Sequence, residues 1–212
     1  MPSSTPTPSL DFWYEFASTY SYLAAQRIEA AAEEAGVVVT WRPFLLGPIF
    51  AAQGWNTSPF NLYPAKGRYM WRDMERLAGA MGVPLRRPSP FPQNGLLAAR
   101  LALIGAEAGW IAPFTRAVYT AEFGEGRDIS KPETLSAVLA GLGLDPAPLI
   151  ARARADEAVK NRLKIETEQA QRLGLFGAPS FVTADGELFW GNDRLEAALA
   201  WAARAPGPSR RG

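Results

Sequence analysis

The 212-residue sequence predicts an α/β fold in which a small β-α-β … β-β-α domain is interrupted by a large all-helical insertion. Three observations predict it. Strand-like runs occur only near the two ends of the chain, helical periodicity fills the stretch between them, and the late strands must rejoin the early ones to complete a sheet with a covered face. The discontinuous domain is expected over residues 10–45 and 170–203 and the insertion over 46–169. Residues 1–9 and 204–212, rich in Pro, Ser or Arg, read as disordered tails.

Residues 11–16, DFWYEF, alternate Phe12, Tyr14 and Phe16 against Trp13 and Glu15, the pattern of a buried strand. A helix is expected from near Ser21, because Ala24, Ile28, Ala31 and Ala35 share one face and Gly36 stands in the stop position. The β-branched run VVVTW at 37–41, ended by Pro43, completes a β-α-β unit with parallel strands. Within the insertion, Met70, Met74, Leu77 and Met81 form one helical stripe and Leu97, Leu101, Ile104 and Ala108 another. The Pro-rich segment 83–94 separates them, and further helices are expected near 113–123, 132–141 and 146–172. At 180–191 two short apolar runs flank Asp185-Gly186, which predicts a hairpin with a two-residue turn, and a last helix follows over about 193–203.

Two absences narrow the chemistry. The chain has no cysteine and no histidine, so it supplies no thiolate, no disulfide, no imidazole base and no soft-ligand zinc site. A disulfide oxidoreductase is thereby excluded, and no Asp/Asn-rich loop with cation-ligand spacing argues for a metal. Twenty-two basic and 21 acidic residues leave a net charge of +1, which points to a small partner, not to nucleic acid or a membrane surface. The opening MPSSTPTPSL lacks the pattern of a signal peptide, and no run reaches the length of a membrane span, so a cytoplasmic location is expected.

Candidate site residues gather at two places. Ser18 and Ser21 stand two residues apart at the junction of first strand and first helix, where many thioredoxin-like proteins carry Cys-X-X-Cys. Serines there also suit simple N-capping. The second place is Gly177-Ala178-Pro179-Ser180-Phe181, just before the third strand, where the thioredoxin-like scaffold puts a cis-proline facing the helix start; the Ala178–Pro179 bond is expected to be cis.

The combination of DFWYEFASTYSYLA, WRPFLLGPIF, the Pro64-Ala65-Lys66 and Tyr69 stretch, LFGAPSFV and LFWGNDRLE resembles the 2-hydroxychromene-2-carboxylate isomerase family. That family is related to kappa-class glutathione transferases and, more distantly, to DsbA-type oxidoreductases. The resemblance runs in order over about residues 10–203. It implies a thioredoxin-like fold, glutathione as cofactor, a small aromatic carboxylate as substrate, and a homodimer. By the same resemblance Ser18 is the catalytic serine that touches the glutathione sulfur, and Ala178, before Pro179, pairs with the cysteinyl unit. Asn192 and Asp193 match positions that hold the γ-glutamyl end, while Asn56 and Lys66 match glutathione- or substrate-facing positions. Thr19 departs from the pattern, because many relatives have proline after the serine; a less rigid helix start is the expected consequence.

The chemistry suits these residues. A thiol attacks as its thiolate and, with a free pKa near ~8.5, is mostly protonated at neutral pH. Unpaired amides at a helix N-terminus favour an anion by ~0.3–1 kcal/mol, up to ~2 when partly buried. Ser18 adds a donor, and without a histidine to deprotonate it, it is no hydrolase nucleophile. The resemblance implies conjugate addition of glutathione to the hemiketal's enol-ether system, then ring opening, bond rotation and expulsion of the thiol. A pocket is expected between the helix start and the insertion, among Trp13, Tyr20, Phe44, Phe50, Trp55, Phe60, Tyr63, Tyr69 and Trp71, with Lys66 or Arg68 for a carboxylate. Two other readings stand beside this one: a kappa-like transferase acting on other electrophiles, and a non-catalytic peptide-binding module using the open edge beside Pro179.

Overall fold

The computed structural model describes residues 7–55 and 57–204. Its elements in chain order are β1 (Ser9–Tyr14), α1 (Thr19–Ala35), β2 (Val38–Pro43), α2 (Leu46–Ala52), α3 (Pro59–Leu62), α4 (Pro64–Met81), α5 (Leu96–Ala108), α6 (Ile111–Tyr119), α7 (Pro132–Gly141), α8 (Pro146–Ala155), α9 (Glu157–Arg172), β3 (Ser180–Thr183), β4 (Leu188–Trp190) and α10 (Leu195–Ala202). A π-helical turn, Thr120–Gly124, continues α6, and a 3-10 turn, Asn192–Arg194, precedes α10. The strands form one sheet in the order β2-β1-β3-β4, with β1 and β2 parallel and the other neighbours antiparallel. This is the predicted β-α-β … β-β-α sheet, with every element between α2 and α9 helical.

β1 occupies the centre of the sheet and is buried on both faces, which is why an aromatic-rich run with little true alternation suits it. Phe12 lies between Trp41 of β2 and Phe181 of β3 and stacks on Tyr14, whereas Trp13 points to the opposite face and packs with Phe44, Leu46 and Val182. The strand is displaced from its predicted span. It begins at Ser9, which the sequence assigned to the tail, and ends at Tyr14, because Ser18 N–H donates to Glu15 O (2.9 Å) and closes a turn over Phe16 and Ala17. Phe16 stays buried from that turn, packed on Phe114 and Tyr119, so its apolar character reflects the core and not strand pairing. Pro43 is the last residue of β2, where it ends the strand as expected and as an edge strand permits.

The insertion shares one continuous core with the sheet. α5 is its centre: Leu101, Ala102, Leu103 and Ile104 are all buried, and it packs against α6, α8, α9 and β2. A buried bond between Tyr14 and Thr115 hydroxyls (2.8 Å) ties the central strand to α6. The helix expected over 146–172 is two helices, because Asp156 ends α8 and caps α9 by accepting from Ala158 N–H (2.8 Å). The hairpin turn has three residues, not two: Gly186 N–H donates to Thr183 O (2.9 Å) and Gly186, at φ +88°, takes the left-handed position before the strand resumes. Among the described residues no helix is long and apolar enough to cross a membrane.

Candidate active site

The first helix begins two residues earlier than its periodicity suggests, at Thr19, with Ser18 as its cap. Ser18 has extended backbone dihedrals, and its Oγ accepts from Ser21 N–H (3.2 Å), which satisfies one of the orphan amides of the first turn. The same hydroxyl donates to the main-chain oxygen of Ala178 (2.8 Å). Ala178–Pro179 is a cis bond, as expected from the sequence. The two halves of the predicted site, 160 residues apart, are therefore joined by the Ser18 hydroxyl itself. Ser18 is thus a helix cap and also faces the strand edge opposite.

Thr19, where many relatives have proline, is buried, and its hydroxyl donates to Met70 Sδ (3.2 Å), so the helix start is tied to α4 rather than loosened. Tyr20 adds a second tie to α4 through Asp73 (3.0 Å), and burial pushes its phenol above the ordinary tyrosine range. Ser21 is not a cap; it is fully buried in the first turn.

The end of β4 closes the third side. Gly191 N–H donates to Pro179 O (3.0 Å), bringing Asn192 and Asp193 next to the proline strand. Gly191 sits at φ +110°, and a Cβ there would lie 2.6 Å from Asp193 Oδ1, so this sharp exit requires glycine. Asn192 is buried, and its side-chain oxygen is occupied by Arg27 Nε (3.1 Å), while Arg27 Nη2 donates to its main-chain oxygen (2.5 Å). Arg27 also pairs with Glu196 of α10. The side chain of Asp193, by contrast, is 72% exposed. The structure therefore brings Ser18, Ala178, Pro179, Asn192 and Asp193 to one corner, with Asn192 turned inward and Asp193 outward.

The remaining predicted residues lie elsewhere. Lys66 is exposed on α4, one turn before Met70, with its ammonium over the Tyr63 ring (5.0 Å). Asn56 lies outside the described residues. Of the aromatic residues expected to line a pocket, Trp13 and Phe44 are core residues on the far face of the sheet. Phe60, Trp71 and Arg68, with Arg72, Arg87 and Phe91, instead line a groove of about 530 Å³ between α3, α4 and the Pro-rich segment. Tyr20 bridges this groove to the Ser18 corner by its contact with Phe60 (6.5 Å between ring centres).

Sequence reasoning missed two features of the corner. Arg27 gave no signal, being one of several polar residues on α1. Glu15 did give one, an acid inside an aromatic run: its carboxyl accepts from Ala17 N–H (3.3 Å), and burial pushes its pKa up to about 7 against that hydrogen bond.

Comparison with known proteins agrees with this geometry. Residues 9–200 match the family described as a DSBA-like thioredoxin domain. A 2-hydroxychromene-2-carboxylate isomerase from Sphingobium xenophagum is 33% identical over 192 residues, covering 90% of this chain and 95% of that protein. The chain belongs to the 2-hydroxychromene-2-carboxylate isomerase family of DSBA-like thioredoxin domains. A solved 2-hydroxychromene-2-carboxylate isomerase superposes with a TM-score of 0.80 at 26% identity, covering 91% of this chain and 95% of that one. Glutathione S-transferase kappa 1 from Homo sapiens is 28% identical over 204 residues, covering 90% of this chain and 89% of that protein. In this chain the corner carries the Ser18 hydroxyl, and the sequence holds no cysteine, so any thiol chemistry here requires a thiol from outside the chain.

Proposed function

We propose that this protein is a glutathione-dependent isomerase that interconverts 2-hydroxychromene-2-carboxylate, or a close analogue, with its trans-unsaturated pyruvate isomer in aromatic catabolism. The observation that carries the reading is the Ser18 hydroxyl, held at the N-terminus of a 17-residue helix and bonded to the carbonyl before Pro179. The reaction class comes from relatives named as isomerases.

The corner suits a tripeptide thiol. Ser18 has one proton, and in the absence of ligand that proton serves Ala178 O. If the hydroxyl turns to a sulfur, Ala178 O is left needing a donor, and the amide of a cysteinyl residue paired with this edge supplies one. The exchange leaves no buried polar group unpaired. Bound glutathione would supply the thiolate that adds to the conjugated substrate and later leaves. The chain's own part is to orient the tripeptide along Ala178 and Pro179, to hold its γ-glutamyl end beside Asn192 and Asp193, and to stabilise the negative sulfur with Ser18 and the first-turn amides. Asn56 and Lys66 complete the proposed contacts, Lys66 from the α4 side. We place the protein in the cytoplasm, where reduced glutathione is plentiful, as a homodimer.

The test is an isomerisation assay on 2-hydroxychromene-2-carboxylate with and without reduced glutathione. Turnover that requires the thiol supports the reading. The similarity to kappa-class glutathione transferases favours one alternative, transfer of glutathione to other electrophiles. Stable conjugates without isomerisation would select it.

A further inference from the structure

Behind the Ser18 corner lies a set of polar groups, buried except for the half-buried Glu15, that the proposed function leaves unused. Glu122, in the π-helical turn, is completely buried, and neither carboxyl oxygen has a hydrogen-bond partner among the described residues. Ser21 Oγ, in the first turn of α1, is equally buried and equally without a partner. Between them stands Tyr119, whose hydroxyl donates to the main-chain oxygen of Glu15 (2.8 Å) and lies beside Ser21. Glu15 precedes Ser18 by one tight turn. Its carboxyl is folded against Gly95 at the start of α5, where an added Cβ would lie 3.2 Å from Oε1.

Among the described residues no lysine or arginine offsets either acid. The groups bearing on them are the Ala17 N–H on Glu15 and the carboxyls of Glu15 and Asp128 on Glu122, while both acids bear on the Tyr119 phenol of α6. A carboxyl removed from water with neither a cation nor adequate donors keeps its proton. Desolvation accordingly raises Glu122 well above the ordinary carboxylate range and Glu15 to about 7.

We infer that Glu15, backed by Glu122, is a positioning residue that tunes ionisation of the thiol held at the start of α1: a negative charge on Glu15 and one on the sulfur disfavour each other. The inference rests on the glutathione reading above and adds the group that sets its pH window. When glutathione ionises, its thiol proton leaves to solvent and Glu15 retains its own. Where Glu15 is neutral, the helix terminus and Ser18 act on the sulfur unopposed. Once Glu15 ionises, a like charge one turn away works against the thiolate. The coupling is reciprocal, so the thiolate also holds the proton on Glu15.

The test is a pH titration of the ultraviolet thiolate absorbance of reduced glutathione bound to the wild type and to Glu15→Gln, with affinity for S-methylglutathione measuring binding alone. In the variant the thiol midpoint should fall by about half a unit or more, roughly threefold in the thiolate-to-thiol ratio at fixed pH. S-methylglutathione affinity should not change. A midpoint that stays put while glutathione still binds overturns the inference and leaves the glutathione reading standing, whereas failure of the wild type to bind glutathione removes both. Should the variant not fold, carbon-13 titration of the Glu15 carboxyl in the wild type decides the matter. Its midpoint should rise on adding reduced glutathione and not on adding S-methylglutathione, and equal midpoints overturn the inference.

Discussion

At the β1–α1 junction the holding group is a neutral hydroxyl, Ser18, whereas at the β4–α10 junction it is a guanidinium, Arg27. Both junctions turn a strand into a helix, and both end at the Pro179 edge, one through Ala178 O and the other through Pro179 O. The difference follows from what each must do. If the corner holds the proposed thiolate, a full positive charge beside it would stabilise it strongly, and nucleophilicity falls as a thiol becomes more acidic. On that proposal a hydroxyl and helix amides give modest stabilisation, and the half-buried Glu15 and buried Glu122 behind them disfavour further negative charge. At the other junction nothing reacts, so a charged clamp can fix the Asn192–Arg194 turn without altering the sulfur.

The largest effect is expected from Arg27→Ala. It removes the donor to the buried Asn192 Oδ1 and one of two donors to the Asn192 main-chain oxygen, which Leu195 N–H still serves, and should cost roughly 2–3 kcal/mol of stability in a denaturant titration. Glutathione affinity should fall by about tenfold, ~1.4 kcal/mol. A stability change within about 0.5 kcal/mol would show that Arg27 is not the clamp. Next is Gly191→Ala, which forces a β-carbon into a positive-φ position already crowded by Asp193. About 2 kcal/mol of lost stability is expected, read as a lower melting temperature.

Ser18→Ala should lower kcat/KM for the isomerisation at least tenfold, ~1.4 kcal/mol, while costing about 1 kcal/mol of stability through the lost cap. Unchanged turnover would take Ser18 out of the chemistry and leave only a capping role. Last comes Glu122→Gln. Because the folded-state pKa values of Glu15 and Glu122 are raised, the stability they contribute is fully present below their ordinary values and is lost as pH rises through the raised ones. Wild-type stability should therefore decline as pH rises through about 7, the value for Glu15. Relative to wild type, Glu122→Gln should lose less stability as pH rises, because the raised Glu122 carboxyl no longer contributes to the decline. Parallel pH profiles for the two proteins would contradict this.

The fold was legible because its signals are local. Strand-forming residues cluster at the chain ends, Gly36 and Gly82 sit where α1 and α4 stop, and the stripe through Met70 and Met74 faces the core. The errors fell where one residue type serves two purposes. Phe16 looks like a strand residue but is buried from a turn, Asp156 looks like an exposed helix residue but caps a new helix, and Asp185-Gly186 fits two- and three-residue turns alike. The convergence of Ser18 with Ala178 was legible only through family resemblance, since no spacing rule links residues so far apart. Arg27 and Glu122 were not legible at all. What matters about each is a partner or a missing partner contributed by a distant element, and the sequence holds no local trace of either.

The central claim is that this corner binds reduced glutathione as its thiolate. Calorimetric titration with reduced glutathione, repeated in buffers of different ionisation enthalpy at neutral pH, tests it most directly. Saturable binding below the millimolar range, with net proton release that S-methylglutathione does not reproduce, is the predicted result. Absence of binding at millimolar glutathione, or binding with no proton released, would contradict it.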